Sequence, residues 1–309
     1  MNGGLGVNLL SFALLAIGVL WLRGRGLLTA AHAPPFNLIV LNLTFPALVL
    51  DVCLNAHLRV ELFKMTAMGA MTLVLGGVSS LVLMRLFGTT ERKIRGSVVL
   101  LSVFGNTTYF GYPLIFTLFG ADMLVEALFF DQLILPPSFF GIGAIIAAHY
   151  GQRVERRASL VSRLARFPPL WALVLGLAWN LAHPLDVPEI VTLALRGVGR
   201  LTVPLLIIVI SLQTTSLRKW RSVGLTQICV VAVARMAICP AAVFVVAPLI
   251  GLTHTQRAIA VLLAAMPSAM STTMLSNEFD LDSDLVANAI LFTTLLSFPV
   301  IALWYRLVM

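Results

Sequence analysis

The sequence has few charged residues and few cysteines, and both shortages narrow the class of protein. Only 11% of its 309 residues are Asp, Glu, Lys or Arg, whereas an ordinary soluble domain carries about 25%. The three cysteines, Cys53, Cys229 and Cys239, lie inside apolar segments and form no CxxC pair. We therefore expect small core residues rather than disulfides or metal ligands, and no cofactor.

The sequence also lacks the short motifs of several enzyme classes. It contains no His-Glu-x-x-His zinc motif and no phosphate-binding loop ahead of Lys-Ser or Lys-Thr. A cluster of acidic residues, Glu278, Asp280, Asp282 and Asp284, lacks the glycine and the ligand spacing of a calcium loop, so a solvated loop is expected there. The sequence thus predicts a protein that is not an enzyme.

Long apolar segments take up most of the chain. Hydrophobic residues make up 59% of it, and the mean hydropathy is +0.98. The apolar stretches are long enough for helices of roughly 20 residues, which span the hydrocarbon core of a bilayer, and they lack the alternation of outer-membrane strands. The prediction is an all-helical integral membrane protein whose N-terminal run is the first span rather than a removed signal. The predicted spans are 4–22, 36–56, 65–87, 97–119, 124–149, 168–182, 197–214, 222–248, 257–277 and 285–305.

The distribution of basic residues predicts the orientation. The connections after the odd-numbered spans hold 14 of the 21 Lys and Arg residues, and the opposite face holds 6. Short basic connections stay in the cytoplasm, so we expect both termini to be extracytoplasmic, in a bacterial inner membrane. The net charge of +8 is explained in this way without a nucleic-acid partner. The 14 residues are Arg23, Arg25, Arg85, Arg92, Lys93, Arg95, Arg153, Arg156, Arg157, Arg163, Arg166, Arg218, Lys219 and Arg221, and the 6 are Arg59, Lys64, Arg196, Arg200, Arg257 and Arg306.

The second half of the chain resembles the first. Three alignments occur in the same order: 43–48 over 201–206, 95–101 over 257–263, and 122–137 over 284–299. Because five spans is an odd number, the second copy enters the membrane from the opposite side, and such inverted repeats are a recurrent plan of secondary transporters. We predict two five-helix repeats, 1–150 and 167–309, joined by a basic cytoplasmic linker, 151–166.

Polar interruptions occur at matching places in spans 4 and 9. A membrane helix unwinds only where protein or water satisfies the freed backbone groups, and paired breaks that cross direct helix N-termini, which are partly positive, at one cavity. Neutral hydrogen-bonding side chains at such a crossing suit an organic anion. In the alternative interpretation, Ser and Thr bond their own helix and the proline only kinks it. The predicted substrate-binding residues are Gly105, Asn106, Thr107, Thr108, Pro267, Ser268, Ser271 and Thr272.

Two ionisable residues, Asp131 in span 5 and Arg235 in span 8, are expected inside the hydrocarbon, where each costs at least about 2.5 kcal/mol unless paired or hydrated. Three roles stay open at this stage. The two can form an ion pair, Asp131 can titrate as a proton-coupling group, or Arg235 can receive a substrate carboxylate through its paired donors. A third carboxylate, Asp51, lies towards the outer end of span 2 and is expected to face extracytoplasmic water.

The stretch Gly105-Asn106-Thr107-Thr108-Tyr109-Phe110-Gly111-Tyr112-Pro113 resembles the Gly-Asn-Thr-Gly-x-x-Gly-x-Pro stretch of the auxin efflux carrier family. This family includes plant auxin exporters and bacterial carriers of malonate and malate. Phe130-Asp131, Met266-Pro267 and the segment 293–297 are similar to further family motifs in the expected order. Thr108 replaces a family glycine, and Phe130 replaces a tyrosine.

The resemblance implies a scaffold domain of spans 1, 2, 6 and 7 and a transport domain of spans 3–5 and 8–10 that moves like an elevator. It matches Asn106 to the family's substrate-contacting asparagine. The expected function is secondary active transport of a small mono- or dicarboxylate, with protons or, less favoured, sodium as coupling ion, and with homodimerisation through the scaffold. The alternatives are a sodium-coupled symporter of the bile-acid type and a membrane receptor for an organic acid.

Overall fold

The computed structural model describes residues 14–56, 59–88, 91–152, 160–182, 187–213 and 224–309. Throughout these ranges the chain is helical, and its only β-type pairing is an isolated bridge between Gly105 and Ser268. The predicted start of span 1, part of the basic linker, and Arg153, Arg156, Arg157, Arg218, Lys219 and Arg221 lie outside the described residues. The helices are α1 (Leu14–Gly24), α2 (Ala30–Asn55), α3 (Val60–Leu86), α4 (Arg92–Val103), α5 (Tyr112–Phe119), α6 (Ala121–Tyr150), α7 (Leu160–Ala165), α8 (Pro168–Ala182), α9 (Glu189–Leu212), α10 (Leu225–Leu249), α11 (His254–Ala264), α12 (Thr272–Glu278) and α13 (Ser283–Val308).

In the described part of the chain, six helices are long and apolar enough to cross a membrane: α2, α3, α6, α9, α10 and α13. Helices α1 and α8 are shorter and apolar. The remaining apolar windows, the predicted spans 4 and 9, are each divided into two helices.

Two helices begin at least six residues earlier than the hydropathy pattern predicts, for local reasons. Helix α2 begins at Ala30 instead of 36, and Pro34 lies in the first turn of its α-helical part, where a proline costs no hydrogen bond. Helix α9 begins at Glu189 instead of 197. Its first turns carry Glu189 and Arg196, and such polar residues lower the hydropathy without weakening the helix.

The chain divides into two compact units, each made of three segments. Unit 1 comprises residues 1–59, 108–128 and 163–217, and unit 2 comprises residues 60–107, 129–162 and 218–309. The segment 108–128 was assigned to the transport domain from the sequence, but in the structure it groups with unit 1. There the hydroxyl of Tyr109 donates to Asn37 Oδ1, and the ring of Tyr112 packs 5.6 Å from that of Phe45.

Within unit 1, α2 packs closely against α8 and α9. A methyl group on Gly176 of α8 would lie 2.6 Å from Cys53 Cβ. The absence of a side chain at Gly176 therefore allows α8 to approach α2 closely. Asp51 does not face water as expected: only 13% of its side chain is exposed, and Arg196 Nε of α9 lies 3.4 Å from Asp51 Oδ1. Because a carboxylate in an apolar helix needs a counter-charge, this ion pair explains how α2 accommodates it.

Within unit 2, the acidic loop before α13 is bound to α4 and is more than a solvated loop. Asp280 accepts a 2.7 Å hydrogen bond from Lys93 Nζ, and the backbone N–H of Asp282 donates to Ser97 Oγ. The carboxylate of Asp282 also caps α13 by accepting from the N–H of Leu285 at 2.8 Å. The sequence prediction failed here because the partners lie some 185 residues away along the chain.

Candidate functional site

Both polar interruptions are real breaks in the helices, and they meet inside unit 2. Helix α4 ends at Val103, and a π-helical turn from Thr107 to Gly111 leads into α5. Helix α11 ends at Ala264, and α12 begins at Thr272. The two extended segments lie antiparallel, with Gly105 opposite Ser268. We call these paired segments, 104–106 and 265–269, the crossing.

Hydrogen bonds between the two segments satisfy the backbone groups that the breaks set free. The N–H of Asn106 donates to the carbonyl of Pro267 at 2.7 Å, and the N–H of Ala269 donates to the carbonyl of Phe104 at 2.9 Å. The hydroxyl of Ser268 donates to the carbonyl of Leu101 in the last turn of α4 at 2.9 Å. Each break therefore supplies the partners of the other, as an apolar surrounding requires.

The guanidinium of Arg235 contacts both broken helices where their first halves end. Its Nε donates to the carbonyl of Met266 at 3.3 Å, and its Nη1 donates to the carbonyl of Val103 at 3.4 Å. Arg235 lies on a π-helical turn of α10, Ala234–Ile238, and is 1% exposed. The end of a helix leaves carbonyls unpaired and carries a partial negative charge, so a buried cation is stabilised at this point.

Gly105 is required at the crossing by close packing. A methyl group built on it would lie 1.7 Å from Arg235 Nη2 and 2.4 Å from Arg235 Cζ. Real Cβ atoms essentially never lie closer than 3.0 Å to such a neighbouring heavy atom, so any larger residue would displace the guanidinium. The contact with Arg235 thus explains why a glycine stands at this position.

Two side chains at the crossing have buried polar atoms that no group in the described part of the chain satisfies. They are the amide nitrogen Nδ2 of Asn106 and the hydroxyl of Thr107, whose residues are 3% and 2% exposed. An unsatisfied buried polar group costs about 1–3 kcal/mol, so such groups in a native fold call for an explanation. A ligand or water that accepts from Asn106 and bonds to Thr107 would provide one.

A narrow cleft in unit 2 lies beside these residues. Its ionisable lining residues are Asp131 and Arg235, and Thr107 shares the wall with them. Their opposite charges attract each other, Asp131 being 1% exposed. The cleft has room for about one water molecule in this conformation, so an organic acid does not fit into it without movement of its walls.

Helix α6 is interrupted beside Asp131, a feature that sequence reasoning missed. Residues 132–134 form a turn, and Pro136 follows in the first turn of the resumed helix. Thr66 Oγ1 of α3 donates to the carbonyl of Phe129 at 2.5 Å, just before this turn. The adjacent prolines 136 and 137 were the available signal. Further lining residues also went unrecognised: Gly69, Thr72, Leu73, Phe130, Ile134 and Leu135.

The other predicted site residues differ in their placement. Ser268 and Thr272 are both buried. The Thr272 hydroxyl donates to the carbonyl of Ala269 in its own segment, in line with the alternative interpretation, whereas the Ser268 hydroxyl donates to the carbonyl of Leu101 in the other broken helix. Ser271 is exposed, and Thr108 is partly exposed and belongs to unit 1. Of the predicted residues, Gly105, Asn106, Thr107, Pro267 and Ser268 form the crossing or directly adjoin it, with Arg235 against it.

Comparison with known proteins identifies the family. A family described as membrane transport proteins matches residues 152–305. The chain belongs to this family. An uncharacterised transporter of Methanocaldococcus jannaschii is 26% identical over 288 residues, covering 90% of this chain and 91% of that protein. An uncharacterised transporter of Methanothermobacter thermautotrophicus is 29% identical over 286 residues, covering 92% of this chain and 91% of that protein.

Membership in this family of membrane transport proteins confirms three predictions from the sequence. The family is the auxin efflux carrier group that the stretch 105–113 resembles. The protein is a multi-pass membrane transporter, which agrees with its long apolar helices. It is not an enzyme, because its family and both relatives are transporters.

Proposed function

We propose that this membrane transport protein is a secondary active carrier of a small organic anion, and that the anion binds at the crossing. The observation that carries the proposal is the pair of buried groups on Asn106 and Thr107 without a partner in the described chain. An amide nitrogen can only donate, so its missing partner is an acceptor such as a carboxylate oxygen. The Thr107 hydroxyl can donate to the same group.

The charges beside the crossing support an anion whose binding depends on a proton. Arg235 and Asp131 are the two ionisable residues of the cleft, and their charges balance when both are ionised. A proton on Asp131 would remove one negative charge from the cleft and so favour an anion beside Asn106. We therefore propose proton coupling through Asp131, with symport of the acid and the proton, in preference to coupling by sodium.

The two compact units support alternating access as the mechanism. Asn106, Thr107, Asp131 and Arg235 all belong to unit 2, so the site can move with one body while unit 1 serves as the scaffold. We extend this to the complete architecture that the sequence predicts: ten membrane segments in two inverted repeats, in a bacterial inner membrane with both termini outside. The breaks in the predicted spans 4 and 9 support the repeat, because inverted-repeat transporters place paired discontinuous helices at the site.

The test is counterflow in proteoliposomes, with a panel of mono- and dicarboxylates and with imposed pH or sodium gradients. We expect saturable exchange of at least one acid and its accumulation under a pH gradient. Asn106→Ala should reduce that exchange by about 10-fold or more, because it removes a hydrogen bond to a charged group. Asn42→Ala is the matched control, since Asn42 is exposed and donates within its own helix to Leu38.

Four outcomes would contradict separate parts of the proposal. Unchanged exchange by Asn106→Ala would remove the site from the crossing. Full pH-driven accumulation by Asp131→Asn would exclude coupling through that residue, and accumulation driven by sodium alone would favour the bile-acid type of symporter. Binding of an acid without exchange of any acid would identify a receptor.

A further inference from the structure

We propose that Arg235 is a positioning residue that holds the two halves of the crossing together, and that its guanidinium does not bind the substrate. The inference concerns the site of the proposed function, but its main tests do not require transport. It excludes one of the three roles that the sequence left open, the binding of a substrate carboxylate by Arg235. The carrying observation is that this one side chain bonds a carbonyl at the end of α4 and another just after α11.

The donor geometry commits the guanidinium to the backbone. Nε donates to Met266 and Nη1 donates to Val103, two carbonyls that belong to different broken helices. Nη2 lies against Gly105, at the place where a methyl group would be 1.7 Å away. One of its three nitrogens therefore donates to the crossing, a second donates to the end of α4 directly before it, and the third lies against Gly105.

The charge of Arg235 offsets an electrostatic cost of the crossing. The ends of α4 and α11 each bring a partial negative charge of about one half to the same buried place. With the guanidinium bonded there, these ends are compensated and no longer oppose an anion beside Asn106. Arg235 would thus act on the substrate through the shape and potential of the crossing. A lysine in its place would keep the charge but, with a single compact head, could not hold both carbonyls as firmly.

The first test is a double-mutant cycle on thermal stability in detergent. Gly105→Ala should lower the Tm by several degrees, because its methyl group displaces the guanidinium. In an Arg235→Ala background the same substitution should cost much less, since the obstructing atoms are gone. Gly96→Ala with Arg235→Ala is the control cycle: Gly96 also lies on α4, but its neighbours are Tyr150 and Leu281, so its effect should be additive. If Gly105→Ala lowered the Tm equally in the wild-type protein and in Arg235→Ala, the inference would be wrong.

The second test is backbone hydrogen exchange in Arg235→Gln and Arg235→Lys. If Arg235 holds the crossing, Arg235→Gln should raise exchange about tenfold in the peptides covering 104–107 and 265–270 together, with 189–199 of unit 1 unchanged. Arg235→Lys should restore part of the protection, because it keeps the charge. Unchanged exchange in either segment would contradict the inference.

Transport selectivity separates positioning from direct substrate contact. For an acid that the wild-type protein exchanges, Arg235→Gln should raise the KM while keeping the preference for the acid over its neutral amide. A reversal of that preference would show that the guanidinium binds the carboxylate, and the inference would be wrong. The protein could fail to transport any acid while the double-mutant cycle and the backbone hydrogen exchange give the expected results. In that case the proposed function would be wrong and the positioning role of Arg235 would stand.

Discussion

At the scale of single residues, several glycines of unit 2 are fixed by close approach of another backbone. A methyl group on Gly76 of α3 would lie 2.1 Å from the carbonyl oxygen of Ser102, at the end of α4. On the next residue, Gly77, a methyl group would meet only the Val103 side chain, at 3.3 Å. The side chain of Val103 can yield slightly, whereas a carbonyl held in a helix cannot.

We therefore expect Gly76→Ala to destabilise the protein by about 1–3 kcal/mol, the usual cost of overpacking. Gly77→Ala, on the same helix, should change stability far less, because better helix propensity offsets the tight contact. A thiol-reactive dye can follow unfolding in detergent, since Cys53 and Cys239 are buried and free. Equal losses of Tm in the two variants would show that the approach of α3 to α4 is looser than in this structure.

The same scale shows which site residues could be recognised from sequence. Asn106 and Thr107 stand out as polar residues in an apolar run, and Arg235 stands out as a charge inside a span. The partners of Arg235 could not be predicted, because they are the backbone carbonyls of Val103 and Met266. Every residue has a backbone carbonyl, so residue types do not show which carbonyls will accept a hydrogen bond. These two carbonyls come close together only because the two broken helices cross.

At the scale of helices, a single amide supports the end of α2 in unit 1. Asn180 Nδ2 of α8 donates to the carbonyls of Cys53, Leu54 and Ala56 at 2.8–3.0 Å. The last carbonyls of a helix have no partner within it, and here a buried side chain supplies one. The contact fixes the point at which α2 stops.

Asn180→Ala should therefore lower stability by about 1–3 kcal/mol, because the buried carbonyls lose their donor. The Tm in detergent is again the measurement. Asn42→Ala serves as the comparison, because Asn42 also belongs to this unit but is exposed. If Asn180→Ala lowered the Tm no more than Asn42→Ala, water or lipid headgroups would have to donate to the carbonyls at the end of α2 instead.

The positions of the helices were the most predictable part of the fold. The irregular turns within the helices were the least predictable part. The predicted window 168–182 coincides with α8, and the two polar breaks fall where the sequence places them. The π-helical turns at Val40–Thr44, Phe139–Gly143 and Ala234–Ile238 were not predicted. Such a turn adds one residue to a helix without changing the average hydropathy of the segment, so the hydropathy pattern gives no sign of it. These turns often occur at functional sites.

At the scale of the whole molecule, the net excess of basic residues on one set of connections has a consequence for orientation. Of the 21 Lys and Arg residues, 14 lie on the connections after the predicted odd-numbered spans, and 6 lie on the predicted opposite face. Translocating short basic connections is disfavoured, so the richer face should remain in the cytoplasm. The Asp280–Lys93 ion pair and the Ser97 contact place the acidic loop with the start of α4, which assigns both to that same face.

Reporter fusions test this orientation directly. A periplasmically active phosphatase fused after Met309 should be active, and a fluorescent protein that folds only in the cytoplasm should stay dark there. The same reporters inserted in the connection 87–91, between α3 and α4, should give the opposite pair of results. An active phosphatase at both positions would mean that the number of crossings between them is even. The predicted topology places seven crossings, spans 4 to 10, between the two positions. An even number would therefore contradict the ten-span arrangement from which the inverted repeats are inferred.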